Sequence, residues 1–423
     1  MAPSKWKPEN RSKTTMKKHF SRREWLARTG AAAGCMLMRP ALSFAGAPMT
    51  NLPPPMFAKA PAGRVTVGKC NDYGSALVPA LDKMFDQLGG LEKLVKGKTV
   101  AMKVNFIGVR WQRLGNVPME DTFWSHPNMI AAVVHLLGKA GARQVRVLEG
   151  PWSTAETLEE VMLSQDWKPE DILSAAPNVE FENTNYLGRG KKYSRFMVPG
   201  GGLVFPGYDL NHSYEDCDVF VSCAKLKEHA VTGVTLSMKN IYGTTPITIY
   251  GAGAGIDEPA IRPQGGRGEV FHAGRRAPSK TAPQQLDPNF SKDQGVRLPR
   301  IVAELNAARP AHLAIIDGIR TATGAETNYG SRPQAAVNPG VIIAGTNTVA
   351  TDAVAMSVMG FDPLAERGTP PFAACDSTLQ FGEQLGVGLR DLSRNEVVGV
   401  PIAEARFDFT AVRERILSAA KKT

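Results

Sequence analysis

The sequence predicts an α/β fold, with a mostly parallel sheet covered by helices and two subdomains. Three observations carry this. From Arg64 to Leu148, short apolar runs alternate with helix-spaced ones in a β-α-β-α-β rhythm. Val219–Val221 and Ala311–Asp317 read as strands buried on both faces, apolar without polar alternation. Glycines and capping residues stand where such elements should end.

Residues 1–45 read as a twin-arginine export signal. Ser21-Arg22-Arg23-Glu24-Trp25-Leu26 carries the paired arginines, Ala31 to Met38 is weakly apolar, and Ser43-Phe44-Ala45 is an A-x-A-like cleavage site. The apolar stretch is far shorter than the roughly 20 residues that span a bilayer, so the mature chain is expected to hold no integral membrane segment. Gly34-Cys35 is similar to a lipoprotein site, but Ala32 stands where Leu is usual. The expected location is the periplasm, with the twin-arginine translocation machinery as a partner. That route carries folded cargo, often with a cofactor, so a metal ion is admitted but not named.

A Pro- and Ala-rich linker covers 46–63, and the main domain covers 64–388. Arg64–Gly68 reads as a strand, and Leu77–Leu88 as a helix closed by Gly89-Gly90. Lys98–Phe106 is a strand with Lys103 and Asn105 near its end. Ser125-His126-Pro127 opens a helix that runs to Lys139, because Pro suits a first turn. Gln144–Leu148 is the next strand. Ala155–Leu163 is a helix, and Val179–Phe181, Arg195–Val198 and Leu203–Phe205 are short strands. After Val219–Val221, Gly233 breaks the chain and Thr235–Tyr242 is helical. A loop rich in Gly, Pro and Arg fills 244–295, a length that marks a functional cover or disorder. Val296–Ala308 is a helix, Val341–Ala344 a strand and Thr348–Met359 a helix. Phe372–Phe381 is helical, and 389–423 adds a strand near Val397 and a helix from Thr410.

Charge and cysteines exclude two classes. Residues 1–45 hold ten Lys or Arg against two Glu, so of the total +10 only about +2 belongs to the rest. Nucleic acid is therefore not an expected partner. Cys70, Cys217, Cys223 and Cys375 show no C-x-x-C spacing, so there is no iron–sulfur motif. A strand joining Cys217 to Cys223 would hold them about 20 Å apart at roughly 3.3 Å per residue, beyond disulfide reach. Free thiols are expected.

The stretch Cys217–Gly243 gathers chemistry after a strand: Lys225, Lys227, His229, Lys239 and Asn240. Ligands in open α/β sheets sit at such strand ends. His126, His229 and Lys239 are the catalytic candidates, since imidazole and a desolvated lysine exchange protons near neutral pH. Lys103, Asn105, Lys225 and Asn240 are candidates to hold a small anionic ligand. His229 and Asp317 are candidates for a metal, and Asp352 for a metal or for balancing the lysines. The expected function is an exported enzyme acting on a small anionic substrate at this Lys/His site. The alternative is a periplasmic protein that captures an anion without chemistry.

V-A-M-K-V-N, H-P, K-L-K-E-H-x-x-T-G-V-T-L-S-M-K-N-I-Y-G, I-I-D-G-I and V-A-T-D-A-V-A together resemble the uncharacterised family designated domain of unknown function 362, over roughly Val65 to Gly388. Some members carry ferredoxin-type iron–sulfur segments, which this chain lacks. A second similarity is to nickel-dependent lactate racemases, where a histidine, a glycine turn and a lysine that anchors a nickel-pincer cofactor follow in order. His229, Gly233 and Lys239 stand in that order, and His126 matches an earlier catalytic histidine. Pro127 replaces the Arg expected after it, and Ser237-Met238 stands where a Gly pair is expected. That similarity implies a racemase-like isomerase as a further alternative.

Overall fold

The structure, a computed structural model, describes residues 59–108, 113–152, 154–324 and 334–420. The stretch expected to be an export signal and the expected linker up to residue 58 lie outside the described residues. β1 (Arg64–Lys69), β2 (Thr99–Lys103), β3 (Gln144–Glu149), β4 (Val179–Asn183), β5 (Val219–Lys225), β6 (Leu313–Gly318), β7 (Val341–Gly345) and β8 (Glu396–Gly399) form one sheet, in the order β8-β1-β7-β6-β5-β2-β3-β4. β7 runs against both neighbours, and the other pairings are parallel. The chain lays β2, β3 and β4 outward in one direction, then returns to place β5 on the other side of β2. Strand order reverses between β2 and β5, and ligands of open α/β sheets bind outside the carboxyl ends at such a point.

Strand residues divide between two cores. Val219, Val221 and Cys223 pack with α1 (Leu77–Gln87) and α2 (Pro127–Lys139), whereas Phe220 and Ala224 pack with α3 (Leu236–Asn240), α4 (Gln294–Ala308) and α5 (Thr348–Val358). This is the period-two alternation of a strand covered on both sides, and it accounts for the unbroken apolar runs. The described residues, from 59 onward, belong to one compact unit. The second subdomain expected from chain length is thus the second face of a single sheet.

α2 starts where the sequence places it. The His126 imidazole Nδ1 accepts from the Asn128 N–H at 3.1 Å, and Pro127 occupies the first turn. The Leu203–Phe205 strand is a correction. Those residues turn their backbone N–H groups onto the Glu304 carboxylate, and Gly207–Leu210 pairs with Ser194–Met197 instead. The Phe372–Phe381 helix begins only at Thr378, where Ser377 caps it. The 244–295 segment has little regular structure beyond Ile247–Tyr250 and Gly268–His272. It is a packed cover nonetheless, anchored by the buried Tyr250 and Phe271 rings 4.9 Å apart. The four described cysteines are free, as expected. Among the described residues, no helix is long and apolar enough to cross a membrane.

Candidate functional site

The carboxyl ends of β2 and β3 bring Lys103 to Glu149. Lys103 Nζ lies 2.7 Å from Glu149 Oε1 and also donates to Val104 O at 2.6 Å and Asn240 Oδ1 at 3.0 Å. Burial holds its pKa below the ordinary lysine value, with Glu149 acting in the opposite sense. Gly243 is required beside the pair, because a Cβ there would meet Lys103 Nζ at 2.6 Å. Asn240 ties the group together. Its Oδ1 accepts from Lys103 and Asn105, and its Nδ2 donates to Lys103 O and Ser222 Oγ.

α3 delivers Lys239 and Asn240, and Asp352 positions α3. Leu236, the first residue of α3, takes a left-handed φ of 47°, a conformation that costs a non-glycine residue roughly 1–3 kcal/mol. The Asp352 carboxylate accepts from Ser237 N at 2.8 Å, Ser237 Oγ at 2.5 Å and Met238 N at 2.9 Å, which over-determines the turn. Burial lifts Asp352 to about 7 despite these bonds. Asp352 is therefore a support for the lysine-bearing helix.

Lys103, Asn105, Lys239 and Asn240 line one cavity of about 30 Å³, with room for about two water-sized groups. Thr235, Tyr242, Glu149 and Arg267 join its wall. Lys239 Nζ stands 4.0 Å from the Tyr242 ring centroid, a cation–π distance. Arg267 comes from the long cover segment and is only 2% exposed. It is held through Nε to Thr245 O and through Nη2 to Asn185 Oδ1. Of the charged residues in this wall, among the described residues, three are cationic and Glu149 is the acid.

Lys225, Asp317 and His126 gather elsewhere. Strand phase separates them: Lys103 shares its side of β2 with Ala101, while Lys225 shares its side of β5 with Cys223 and the α2 core. Lys225 and Asp317 are fully buried partners at 2.9 Å. Lys225 Nζ also donates to Glu120 O at 2.7 Å, and the Tyr73 hydroxyl donates to Asp317 Oδ1 at 2.9 Å. Burial and the Asp317 carboxylate raise the Tyr73 phenol far above its ordinary pKa. The His126 ring stacks on Tyr73 at 3.5 Å, and burial, Lys225 and Arg320 push its pKa down to about 3. Lys227 donates to Asn105 Oδ1 and Phe123 O. The two lysines of K-L-K thus clamp carbonyls of the loop that leads into α2.

His229 sits in a two-residue hairpin, Glu228–His229 against Gly233–Val234, where Gly233 takes φ 72°. Its Nδ1 accepts from Val231 N and Thr232 N, both at 3.1 Å. Among the described residues, no three His, Cys, Asp or Glu side chains are grouped to hold a metal. Asp317 commits its oxygens to Lys225 and Tyr73, and His229 commits Nδ1 to its own loop, so this pair does not fit a metal. Glu149, Thr235, Tyr242 and Arg267 were not among the sequence candidates. Glu149 could have been found as an acid at a strand end.

Fold and site together define an α/β protein with a cation-lined cavity where its strand order reverses. Within that class the chain belongs to a family: the model of Domain of unknown function (DUF362) matches residues 100–357, which include every residue of the cavity wall. The thylakoid-associated protein sll1697 of Synechocystis is 25% identical over 172 residues, 40% of this chain and 47% of that protein. The matched stretch thus spans about half the length of that relative. No solved structure matches the chain.

Proposed function

We propose that the chain is exported by the twin-arginine route and acts in the periplasm as an enzyme on a small anionic substrate, bound in the cavity at the ends of β2 and β3. The observation that carries this reading is the wall itself, where Lys103, Lys239 and Arg267 stand with a single acid, Glu149, among the described residues. Buried like charges are costly unless an anion offsets them. In this reading Lys103, fixed by Glu149 and Asn240, supplies a permanent field. Lys239 is the group that meets the substrate and exchanges its proton.

Binding is tested by calorimetry with inorganic phosphate, sulfate and short carboxylates. The parent binds at least one of them, and Lys239→Ala lowers that affinity at least tenfold. Equal affinity in parent and variant would remove Lys239 from the site. Turnover is then followed by mass spectrometry of the bound anion. Binding without conversion would favour the second reading, a periplasmic anion-binding protein. That reading draws on Lys103 being locked by fixed acceptors. The isomerase reading needs His126 beside Lys239, whereas His126 stacks on Tyr73 near Lys225. For export, changing Arg22 and Arg23 to Lys should trap full-length precursor inside the cell, and normal export of that variant would refute the route.

A further inference from the structure

The flank built by the Ser194–Met197 and Gly207–Leu210 hairpin and the cover segment leaves aliphatic side chains in solvent. Ile261 is 94% exposed and Ile256 72%, and Met197 and Leu286 are each more than half exposed. They are four of the six large apolar side chains left exposed among the described residues. Hydrogen bonds bring their segments together. Met197 shares a strand face with Arg195, while Phe196 turns to the core. Arg195 Nη2 donates to Thr281 O at 2.5 Å, and the neighbouring Lys280 N–H donates to Ile256 O at 2.9 Å. Arg195 also lines a groove of about 550 Å³ with Ile261, Lys191 and Lys192. In the turn after Met197, Val198 N donates to Pro206 O and Leu286 N donates to Val204 O, both at 2.9 Å. The loop that carries Ile256 and Ile261 is pinned, since Ala260 N donates to Thr248 O and Ser279 Oγ to Gly255 O.

The charges around these side chains are uneven. Arg189, Arg195 and Lys280 are paired with Glu180, Asp209 and Asp257. Lys191 and Lys192 in the groove, and Arg262 beside Ile261, make no ion pair among the described residues. Glu258 is the one acid of the groove left over in the same sense, and Asp287 beside Leu286 accepts from Asn289 N in its own turn.

We propose that this flank docks the protein on the surface of an anionic lipid bilayer. Ile256, Ile261, Met197 and Leu286 enter the headgroup boundary, and Lys191, Lys192 and Arg262 reach lipid phosphates. This goes beyond the anion-site reading and does not rest on it. Single exposed apolar residues are ordinary, and their gathering on one flank is what marks a docking surface. A bilayer boundary takes up separate aliphatic side chains without a matching surface, and its negative charge draws basic residues. The long stems of Lys and Arg lie along the apolar boundary while their charges stay at the phosphates. A protein partner would instead need a closely packed, complementary core, whereas these side chains stand on separate strand and loop positions. Such docking needs no helix that crosses the membrane.

The test is co-sedimentation of the purified full chain with vesicles of phosphatidylcholine alone, or of phosphatidylcholine and phosphatidylglycerol in equal parts. The parent should bind the mixed vesicles, and more weakly as salt is raised. Changing Lys191 and Lys192 to Glu together should lower that affinity at least about tenfold. Changing Ile256 and Ile261 to Ser together should lower it about tenfold as well. The basic residues 1–45 are the same in parent and variants, so the difference reads the flank alone. All four positions are exposed, so both variants should keep the parent's Tm. Absence of binding to the mixed vesicles, or equal binding by parent and both variants, overturns the proposal. Loss of binding in the Glu variant with none in the Ser variant also overturns it, because the protein would then adsorb by charge without inserting these side chains.

Discussion

Two lysine–acid pairs flank the point where strand order reverses, and they differ in what surrounds them. Lys225–Asp317, at the ends of β5 and β6, is closed: each partner is 0% exposed, and Tyr73, a loop carbonyl and the N–H groups of Ile319 and His126 also bond to the pair. Lys103–Glu149, at the ends of β2 and β3, is similarly bonded but borders a cavity with further cations in its wall. The same residue types at equivalent strand ends thus serve different ends. The closed pair holds the frame, and the anion-site proposal rests on the further cations that line the cavity beside the second pair.

The largest effect that can break this comparison is at the closed pair. Lys225→Met leaves the Asp317 charge buried without its cation and should cost about 3–5 kcal/mol in urea unfolding. The double change K225M/D317N should recover most of that loss, because both charges go together. A single-variant cost below about 1 kcal/mol would mean that water reaches the pair and that the two regions are alike.

Asn240→Ala comes next. It deprives Lys103 O, Ser222 Oγ, Asn105 Nδ2 and Lys103 Nζ of a common partner. About 1–3 kcal/mol of stability should be lost, together with anion affinity, since Asn240 also lines the cavity. Lys239→Ala should behave differently. It removes a cation–π contact with Tyr242, worth about 1 kcal/mol, yet should abolish most anion binding. A variant that loses stability and keeps affinity would move Lys239 from the site into the frame.

Much of this was legible in the sequence, and the limits have physical causes. Lys103, Asn105, Lys239 and Asn240 were candidates because they stand at a strand end or on the helix after one, and the cavity unites them. Assigning Lys225 and His126 to the same place failed on strand phase. Which face a residue takes depends on the pairing partners and the helices that cover them, and no short motif states either. Arg267 was hidden for another reason. It belongs to an irregular segment whose path is set by the buried Tyr250 and Phe271, not by local propensity. Asp352 was noted on its helix, but its bonds reach Ser237, 115 residues away in the chain.

The smallest effect is expected at His126, and it sharpens the comparison through pH. Its pKa of about 3 lies below the ordinary histidine value of 6.5, with burial as the main cause. The unfolded chain therefore takes up a proton near pH 6.5 that the fold refuses until about pH 3. The stability His126 contributes is complete above the higher value and is lost as pH falls toward the lower one. Asp352 and Glu304, lifted to about 7 by burial, act in the opposite sense. Each favours the fold at acid pH and loses that contribution as pH rises toward 7. The parent's Tm profile therefore mixes opposing slopes, and only a difference isolates the imidazole. His126→Asn keeps a side chain able to cap α2 and removes the titration. The Tm of the parent minus that of the variant should fall as pH is lowered from about 7 to about 4. Nitrogen chemical shifts of His126 should stay those of a neutral ring over the same range. A flat difference, or a ring that titrates near 6.5, would show that the Tyr73–Lys225–Asp317 side is open to water and that the contrast between the two pairs does not hold.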